Sequence, residues 1–409
     1  MNIQLKQSIL KNDSTVTITG SKSETNRALL LQALYPILKI DNISNSDDSE
    51  VMQKALTENS QSQIIDVHHA GTAMRFLTAF FAIQEGKEVV LTGSSRMKER
   101  PIKILVEALQ QLGAEIYYEE NVGFPPLKII GKKLTNFKVS LPANVSSQYI
   151  SALLLVAPKL QYGLQLTLEG TITSVPYIKM TLALLEAIGI KTSFIENKIT
   201  VCPAELVSAS QLTVESDWSS ASYWYSIVAL SEMGTQITLS SFKQNTLQGD
   251  AVLTEIYQGF GVETIFNTNQ SVTITKTKIQ DNGIKKYNLI NAPDIAQTIA
   301  VTCFGLQIPC ELTGLHTLKI KETDRLQALK NELTKLGAEV SITSESIFIK
   351  PSCLIKENIT IKTYQDHRMA MAFAPLALKT NLIIEDAEVV SKSYPDFWHD
   401  LKTNGIFSG

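Results

Sequence analysis

Lys319-Ile-Lys-Glu-Thr-Asp-Arg-Leu326 leads into Leu326, Leu329, Leu333 and Leu336, and the run stops at Leu336-Gly-Ala-Glu339. Leucines at i, i+3, i+7 and i+10 form one face of a helix. Gly337 supplies the conformation in which helices commonly end, and a strand restarts after it. The same stretch also carries chemistry. Lys321 and Arg325, four residues apart, share one face of the first helical turn, with Glu322 about 100° round from Lys321. Cations oppose the helix dipole at that end, so the pair is either a solvated face or a site for an external anion.

The helix stop recurs. Leu112-Gly-Ala-Glu115, Ile188-Gly-Ile190, Phe260-Gly-Val-Glu263 and Leu336-Gly-Ala-Glu339 place glycines at 113, 189, 261 and 337, with a weaker copy at Asn404-Gly-Ile406. Successive spacings are 76, 72, 76 and 68 residues, the period of a repeated unit of strands and helices. A sixth copy precedes these, with its helix from Asp47 to about Glu58. The connection Asn59-Ser-Gln-Ser-Gln-Ile-Ile65 leaves no room for its hairpin. Units of about 70 residues are too small to hold separate cores. The expectation is therefore an α/β protein of two globular domains with three units each: 21–215, with its first unit trimmed, and 1–20 plus 216–409. The default site is the cleft between them.

The chain of 409 residues carries a formal charge of −3 and 44% apolar residues. That balance excludes the basic excess of a nucleic-acid binder, so any anion affinity is local. Cys202, Cys303, Cys310 and Cys353 have no metal-ligand spacing, and no apolar run reaches the roughly 20 residues of a membrane span. The expectation is a cytoplasmic protein with no metal, and nothing in the sequence calls for more than a monomer.

Further stretches place polar residues at helix starts. In Gly20-Ser-Lys-Ser-Glu-Thr-Asn-Arg27, Ser21 and Glu24 fit a capping box, which sets Lys22, Ser23 and Arg27 about a helix N-terminus suited to anions. Ala70-Gly-Thr-Ala-Met-Arg75 opens a helix apolar on every side, and Arg75 there serves either an internal carboxylate or a ligand. His68 and His69, read as strand neighbours, point to opposite faces and make a poor metal pair. Leu91 to Ile102 ends in a basic loop with Arg96, Lys98 and Arg100, and Pro101 is expected to start the next helix. Val145-Ser-Ser-Gln-Tyr149 is an N-cap or a hydroxyl-rich ligand contact. Ser174 and Tyr177 repeat that theme. Asp294 is a helix cap or, facing cations, a base. Asp366-His-Arg368 and Ser391-Lys392 complete the set. So many cations at equivalent turns repel one another unless anions join them, which favours a cleft open when empty.

These motifs occur in the order seen in 5-enolpyruvylshikimate-3-phosphate synthases, and the resemblance runs nearly end to end. It implies the enolpyruvyl transferase fold, two domains of three βαβαββ units with the active site between them. It also implies transfer of the enolpyruvyl group of phosphoenolpyruvate to the 5-hydroxyl of shikimate 3-phosphate, in the shikimate pathway, with no cofactor. By motif, Lys22, Ser23, Arg27, Ser146, Ser147, Gln148, Ser174, Asp294, Thr317 and Lys321 are the shikimate 3-phosphate residues. Lys22, Gly71, Arg96, Gln148, Arg325, Arg368 and Lys392 are those for phosphoenolpyruvate. The catalytic candidates are Asp294 as base, with Glu322, Lys22 and Lys392 rivals for the methylene proton.

Three positions depart from the family pattern: His69 for Asn, Phe76 for Pro and Thr317 for Asn. The related UDP-N-acetylglucosamine enolpyruvyl transferases carry a cysteine in the loop matching Leu91–Ile102, and this chain has none there. A silent anion-binding scaffold would keep the cations without needing Asp294 and Glu322.

Overall fold

The computed structural model describes residues 1–57, 64–143, 146–170, 172, 175–279, 281, 283–350 and 354–406. Its contacts divide the chain into two compact units, Gly20–Val214 and Met1–Thr19 with Glu215–Gly409.

In the first unit the helices are α1 (Lys22–Leu34), α2 (Asp47–Thr57), α3 (Gly71–Ala82), α4 (Ser95–Lys98), α5 (Lys103–Gln111), α6 (Ser147–Val156) and α7 (Val175–Ala187). Two four-stranded sheets share one topology. Ile64–Asp66 runs parallel to Glu88–Thr92, and Leu127–Ile130 then Glu115–Tyr118 add on antiparallel. Lys138–Pro142, Leu164–Glu169, Lys198–Val201 and Thr192–Ile195 follow the same order. Each is a βαβαββ unit. The third sheet has only Lys39–Asp41 parallel to Gln211–Thr213. Among the described residues no hairpin follows α2.

Helices α1, α3 and α6 pack on one another. All 12 residues of α3 are buried. A helix enclosed on all sides has no polar face, which explains why Phe76-Leu-Thr-Ala-Phe-Phe-Ala82 lacks amphipathic spacing. The second helix of the next repeat, α5, keeps an apolar stripe of Leu105, Val106, Ala108 and Leu109 and leaves its other face toward water.

The second unit repeats the plan with α8 (Trp218–Leu230), α9 (Leu253–Gln258), α10 (Ala296–Gly305), α11 (Arg325–Leu336), α12 (His367–Phe373) and α13 (Phe397–Thr403). Its sheets run Ser14–Val16, Gln236–Ser240, Ser271–Lys276, Val262–Phe266, and Lys285–Asn288, Cys310–Thr313, Ile347–Lys350, Glu339–Ile342. A third joins Ile359–Ile361, Leu382–Ile384 and Ile3–Leu5. Helices α8, α10 and α12 are buried at every position, and α10 packs on the other two. Gly113, Gly189, Gly261, Gly337 and Gly405 all have positive φ, from +71° to +112°, so each repeated glycine is a left-handed stop.

Candidate active site

Within Gly20–Val214 the starts of the inner helices are tied together by polar side chains. Arg27, on α1, is 2% exposed. Its Nε donates to Thr181 Oγ1 at 2.8 Å, Nη1 to the Ser23 carbonyl at 2.6 Å, and Nη2 to Ser151 Oγ at 2.9 Å and the Tyr177 carbonyl at 3.5 Å. Phe76 and Tyr177 cover the guanidinium at 5.4 and 5.9 Å, so the departure at Phe76 provides a ring for Arg27. Burial lowers the Arg27 pKa to about 10, with Tyr177 and Glu24 opposing the shift. Four of its five N–H groups are used and both neighbouring surfaces are aromatic. One N–H, on Nη1, is left over from these bonds.

Lys22 is the first residue of α1, and its Nζ lies 3.5 Å from Oδ2 of the buried Asp48. The expected capping box is absent: Ser21 is the N-cap but its side chain makes no cap bond, and Glu24 is buried. Ser146 caps α6 by accepting from the Gln148 N–H, and Ser147 is that helix's first residue. Gln148 Nε2 reaches Thr72 Oγ1 at 3.2 Å, linking the starts of α6 and α3. Ser174 lies outside the described residues.

Gly71 opens α3. A Cβ there would fall 2.5 Å from Arg100 Nη1, so only glycine lets that guanidinium lie against the backbone. Arg75 donates to the carbonyls of Gly71 at 3.2 Å and Pro101 at 3.0 Å. Tyr149 OH also binds the Pro101 carbonyl. Pro101 is thus pinned outside the helix it was expected to start, and α5 begins at Lys103 with Ile102 as N-cap. The basic loop is partly helical, as α4. Arg96 there is half-exposed and pairs with Glu99 at 2.8 Å, while Arg100 is the cation at Gly71. His68 and His69 sit in an exposed turn rather than a strand, with His68 at φ +47°.

In the other unit the cations interleave with carboxylates. Arg325, 1% exposed, donates from Nε to Asp366 Oδ2 at 2.7 Å, from Nη1 to Asp294 Oδ1 at 2.9 Å and from Nη2 to Glu322 Oε2 at 2.8 Å. Lys392 Nζ donates to Glu322 Oε1 at 2.9 Å. Asp294 is also 3.6 Å from Lys321 and, by Oδ2, 3.3 Å from Arg368 Nη2. Asp366 caps α12 through the Arg368 N–H at 2.9 Å. Thr317 lies in the short 3₁₀ helix His316–Ile320, just before Lys321.

The expectation that crowded cations need ligand anions is corrected here. Asp294, Glu322 and Asp366 already neutralise Arg325, Arg368, Lys321 and Lys392 in part. Burial pushes the Asp294 pKa up, but Arg368, Lys321 and Arg325 override it and hold the carboxyl well below its usual range. Three carboxylates likewise raise the Arg325 pKa against burial, which lowers it. Asp250, buried and next to Asp294, is pushed up to about 7 by burial and then by the Asp294 charge, with Arg368 opposing.

Sequence reasoning gave no role to Asp48, Ser219 or Asp250 and no separate one to Arg100; Asp366, read in the same helix-start layout as Asp294, is the N-cap of α12. The signal for Asp250 was present: Gln248-Gly-Asp250 occupies the turn before α9, the position at which other repeats carry their chemistry. Among the described residues no cluster of His, Cys, Asp and Glu could hold a metal, and no helix is long and apolar enough to cross a membrane.

Charged and hydroxyl residues thus gather at the inner helix starts of each unit, and the sheets repeat one βαβαββ topology. The chain belongs to the EPSP synthase (3-phosphoshikimate 1-carboxyvinyltransferase) family, whose profile matches residues 38–401. It is 45% identical to the 3-phosphoshikimate 1-carboxyvinyltransferase of Bacteroides fragilis strain YCH46, over 96% of this chain and 95% of that one. It is 35% identical to the enzyme of the same name from Vibrio campbellii, over 97% and 98%. Its fold is similar to that of EPSP synthase from Acinetobacter baumannii, with a TM-score of 0.80 at 20% identity, covering 100% of this chain and 99% of that one.

Proposed function

We propose that this chain transfers the enolpyruvyl group of phosphoenolpyruvate to the 5-hydroxyl of shikimate 3-phosphate and releases phosphate. The observation that carries the reading is the run Lys392–Glu322–Arg325–Asp294–Arg368, in which carboxylates alternate with cations. A binding protein for phosphates needs the cations alone; proton transfer needs acceptors and donors side by side.

In the addition step the 5-hydroxyl loses its proton to Asp294 and its oxygen bonds to C2 of phosphoenolpyruvate. The C3 methylene takes a proton from Lys392, Glu322 or Lys22 and becomes a methyl group, which gives a tetrahedral ketal. In the elimination step the methyl group returns a proton, the double bond reforms and the C2–O bond to phosphate breaks. Arg325, Arg368, Lys392 and Lys22 stabilise the departing phosphate. Arg96, Gly71 and Gln148 complete the phosphoenolpyruvate set; the Gly71 environment adds Arg100. Shikimate 3-phosphate is held by Lys22, Ser23, Arg27, Ser146, Ser147, Gln148, Ser174, Thr317, Lys321 and Asp294. The enzyme works as a cytoplasmic monomer without a cofactor.

The test is phosphate release from phosphoenolpyruvate by purified protein with shikimate 3-phosphate, unphosphorylated shikimate or UDP-N-acetylglucosamine. Release only with shikimate 3-phosphate is expected. Release only with the nucleotide sugar, or with no acceptor at all, would overturn the reading.

A further inference from the structure

Asp250 is a buried carboxylic acid with half of its hydrogen-bonding capacity unmet. It lies in the 3₁₀ turn Gly249–Val252 and is 5% exposed. Its Oδ2 accepts from Ser219 Oγ, while its Oδ1 is buried with no hydrogen-bond partner. A bare carboxylate oxygen in the interior is unfavourable by more than most single contacts contribute, so a purely structural acid at this place would be a poor choice.

The other side of Ser219 explains its position. Ser219 has one hydroxyl proton, which goes to Asp250, and its lone pairs face Arg368, whose Nη2 donates to Oγ at 3.3 Å. The same Nη2 lies 3.3 Å from Asp294 Oδ2. Arg368 is thus held from two directions, by Asp294 and by Asp250 acting through the hydroxyl. The Asp250 turn is itself fixed by Gln248, which accepts from the Trp218 N–H at 3.0 Å and donates to the Ser216 carbonyl at 2.9 Å. Those bonds join the turn to the start of α8, the helix that carries Ser219.

We infer that Asp250 is a positioning residue: through Ser219 it fixes the Arg368 guanidinium, and its charge sets how strongly Arg368 attracts an incoming phosphoenolpyruvate. The inference rests on the reading above, in which Arg368 contacts that substrate. The charged groups facing the Asp250–Ser219–Arg368 chain are Asp294 before α10, Asp217 at the N-cap of α8 and Arg368 itself on α12, with the Tyr223 hydroxyl of α8 beside Arg368. Two of these are carboxylates, so a charged Asp250 adds to a negative background and opposes an anion that a neutral Asp250 would admit.

The test uses full-length D250A, S219A and D250N, with KM, kcat and direct titration of phosphoenolpyruvate between pH 6 and 8. D250A and S219A are expected to raise KM for phosphoenolpyruvate roughly tenfold, the loss expected when a hydrogen bond to a charged group is removed, with kcat and KM for shikimate 3-phosphate little changed. D250N keeps an oxygen that accepts from Ser219, so it should restore most of the affinity. The native KM should rise with pH as Asp250 ionises, and D250N, which cannot ionise, should lack that rise.

Unchanged phosphoenolpyruvate affinity in S219A and D250N at every pH overturns the inference, whether or not D250A folds. So does a loss confined to kcat. Absent turnover in the native chain, with phosphoenolpyruvate still bound and still weakened by S219A, would instead remove the proposed reaction and leave the role of Asp250 standing. No binding to the native chain overturns both.

Discussion

Arg27 and Arg325 are both sealed from solvent, yet opposite chemistry holds them. Arg325 sits among three carboxylates, while the hydrogen bonds of Arg27 go to hydroxyls and carbonyls. An arginine without a carboxylate leaves its field available to a ligand; one inside three carboxylates orders those carboxylates. Asp294 is therefore placed as an ionised acceptor by Arg325, Lys321 and Arg368. Replacing it with Asn should lower kcat by about 10²–10⁴, the usual contribution of a general base. Removing a negative charge from a site for anions should leave KM for both substrates equal or lower. Steady-state kinetics of D294N with near-native turnover would refute the base assignment. Asp250 gives a second prediction. Its folded pKa, about 7, lies above its ordinary value of 3.8, so its contribution to stability is full below pH 4 and is lost as pH rises through 7. The difference in unfolding free energy between D250N and the native chain should grow by about 2–4 kcal/mol over that window. Thermal melts of the two proteins at pH 5, 6, 7 and 8 that run parallel would exclude it. The charged residues at helix starts were legible in the sequence because each lies beside an apolar helical run. Which carboxylate pairs with which cation was not, since Asp294, Glu322, Asp366 and Arg325 meet across as many as 72 residues of chain.

At the scale of elements, the glycine stops were readable because a left-handed residue after an amphipathic run has few alternatives. The misread segments share a cause: a side chain that takes up a backbone polar group. His68 and His69 look like a strand continuation, but Asp66 Oδ1 accepts the His68 N–H at 2.7 Å and turns the chain. Pro101 looks like a helix start, but Arg75 and Tyr149 hold its carbonyl. The stops themselves allow a graded test. Gly113 has φ +102° and nothing within 4 Å of an added Cβ, so G113A should lose only the conformational term, about 1–2 kcal/mol. Gly261 has φ +71° and would place that Cβ 2.4 Å from the Thr277 carbonyl, so G261A should lose clearly more. Urea unfolding of the two variants ranks them directly, and equal losses would mean that backbone conformation alone decides these sites.

At the scale of the molecule, the chain passes from one unit to the other twice, between Thr19 and Gly20 and between Val214 and Glu215. The repeat spacing made three units per domain legible, but not the source of each unit's first strand, because a three-residue strand carries little periodic signal. In Gly20–Val214 that strand for the trimmed repeat is Gln211–Thr213, so this segment contains all the strands of its own sheets. The other unit is different. Ser14–Val16 pairs with Gln236–Ser240, and Ile3–Leu5 pairs with Leu382–Ile384. Leu5, Leu10, Val16 and Ile18 enter its core. Four such side chains, at about 1.5–3 kcal/mol each, contribute about 6–12 kcal/mol, comparable to the whole stability of a typical domain. Residues 20–214 expressed alone should therefore melt cooperatively, whereas residues 215–409 alone should not. Adding a peptide of residues 1–19 to the latter should restore a cooperative transition, read by circular dichroism. A cooperative melt of 215–409 without the peptide would show that the two borrowed strands are dispensable, and that the unit is held by its buried helices α8, α10 and α12.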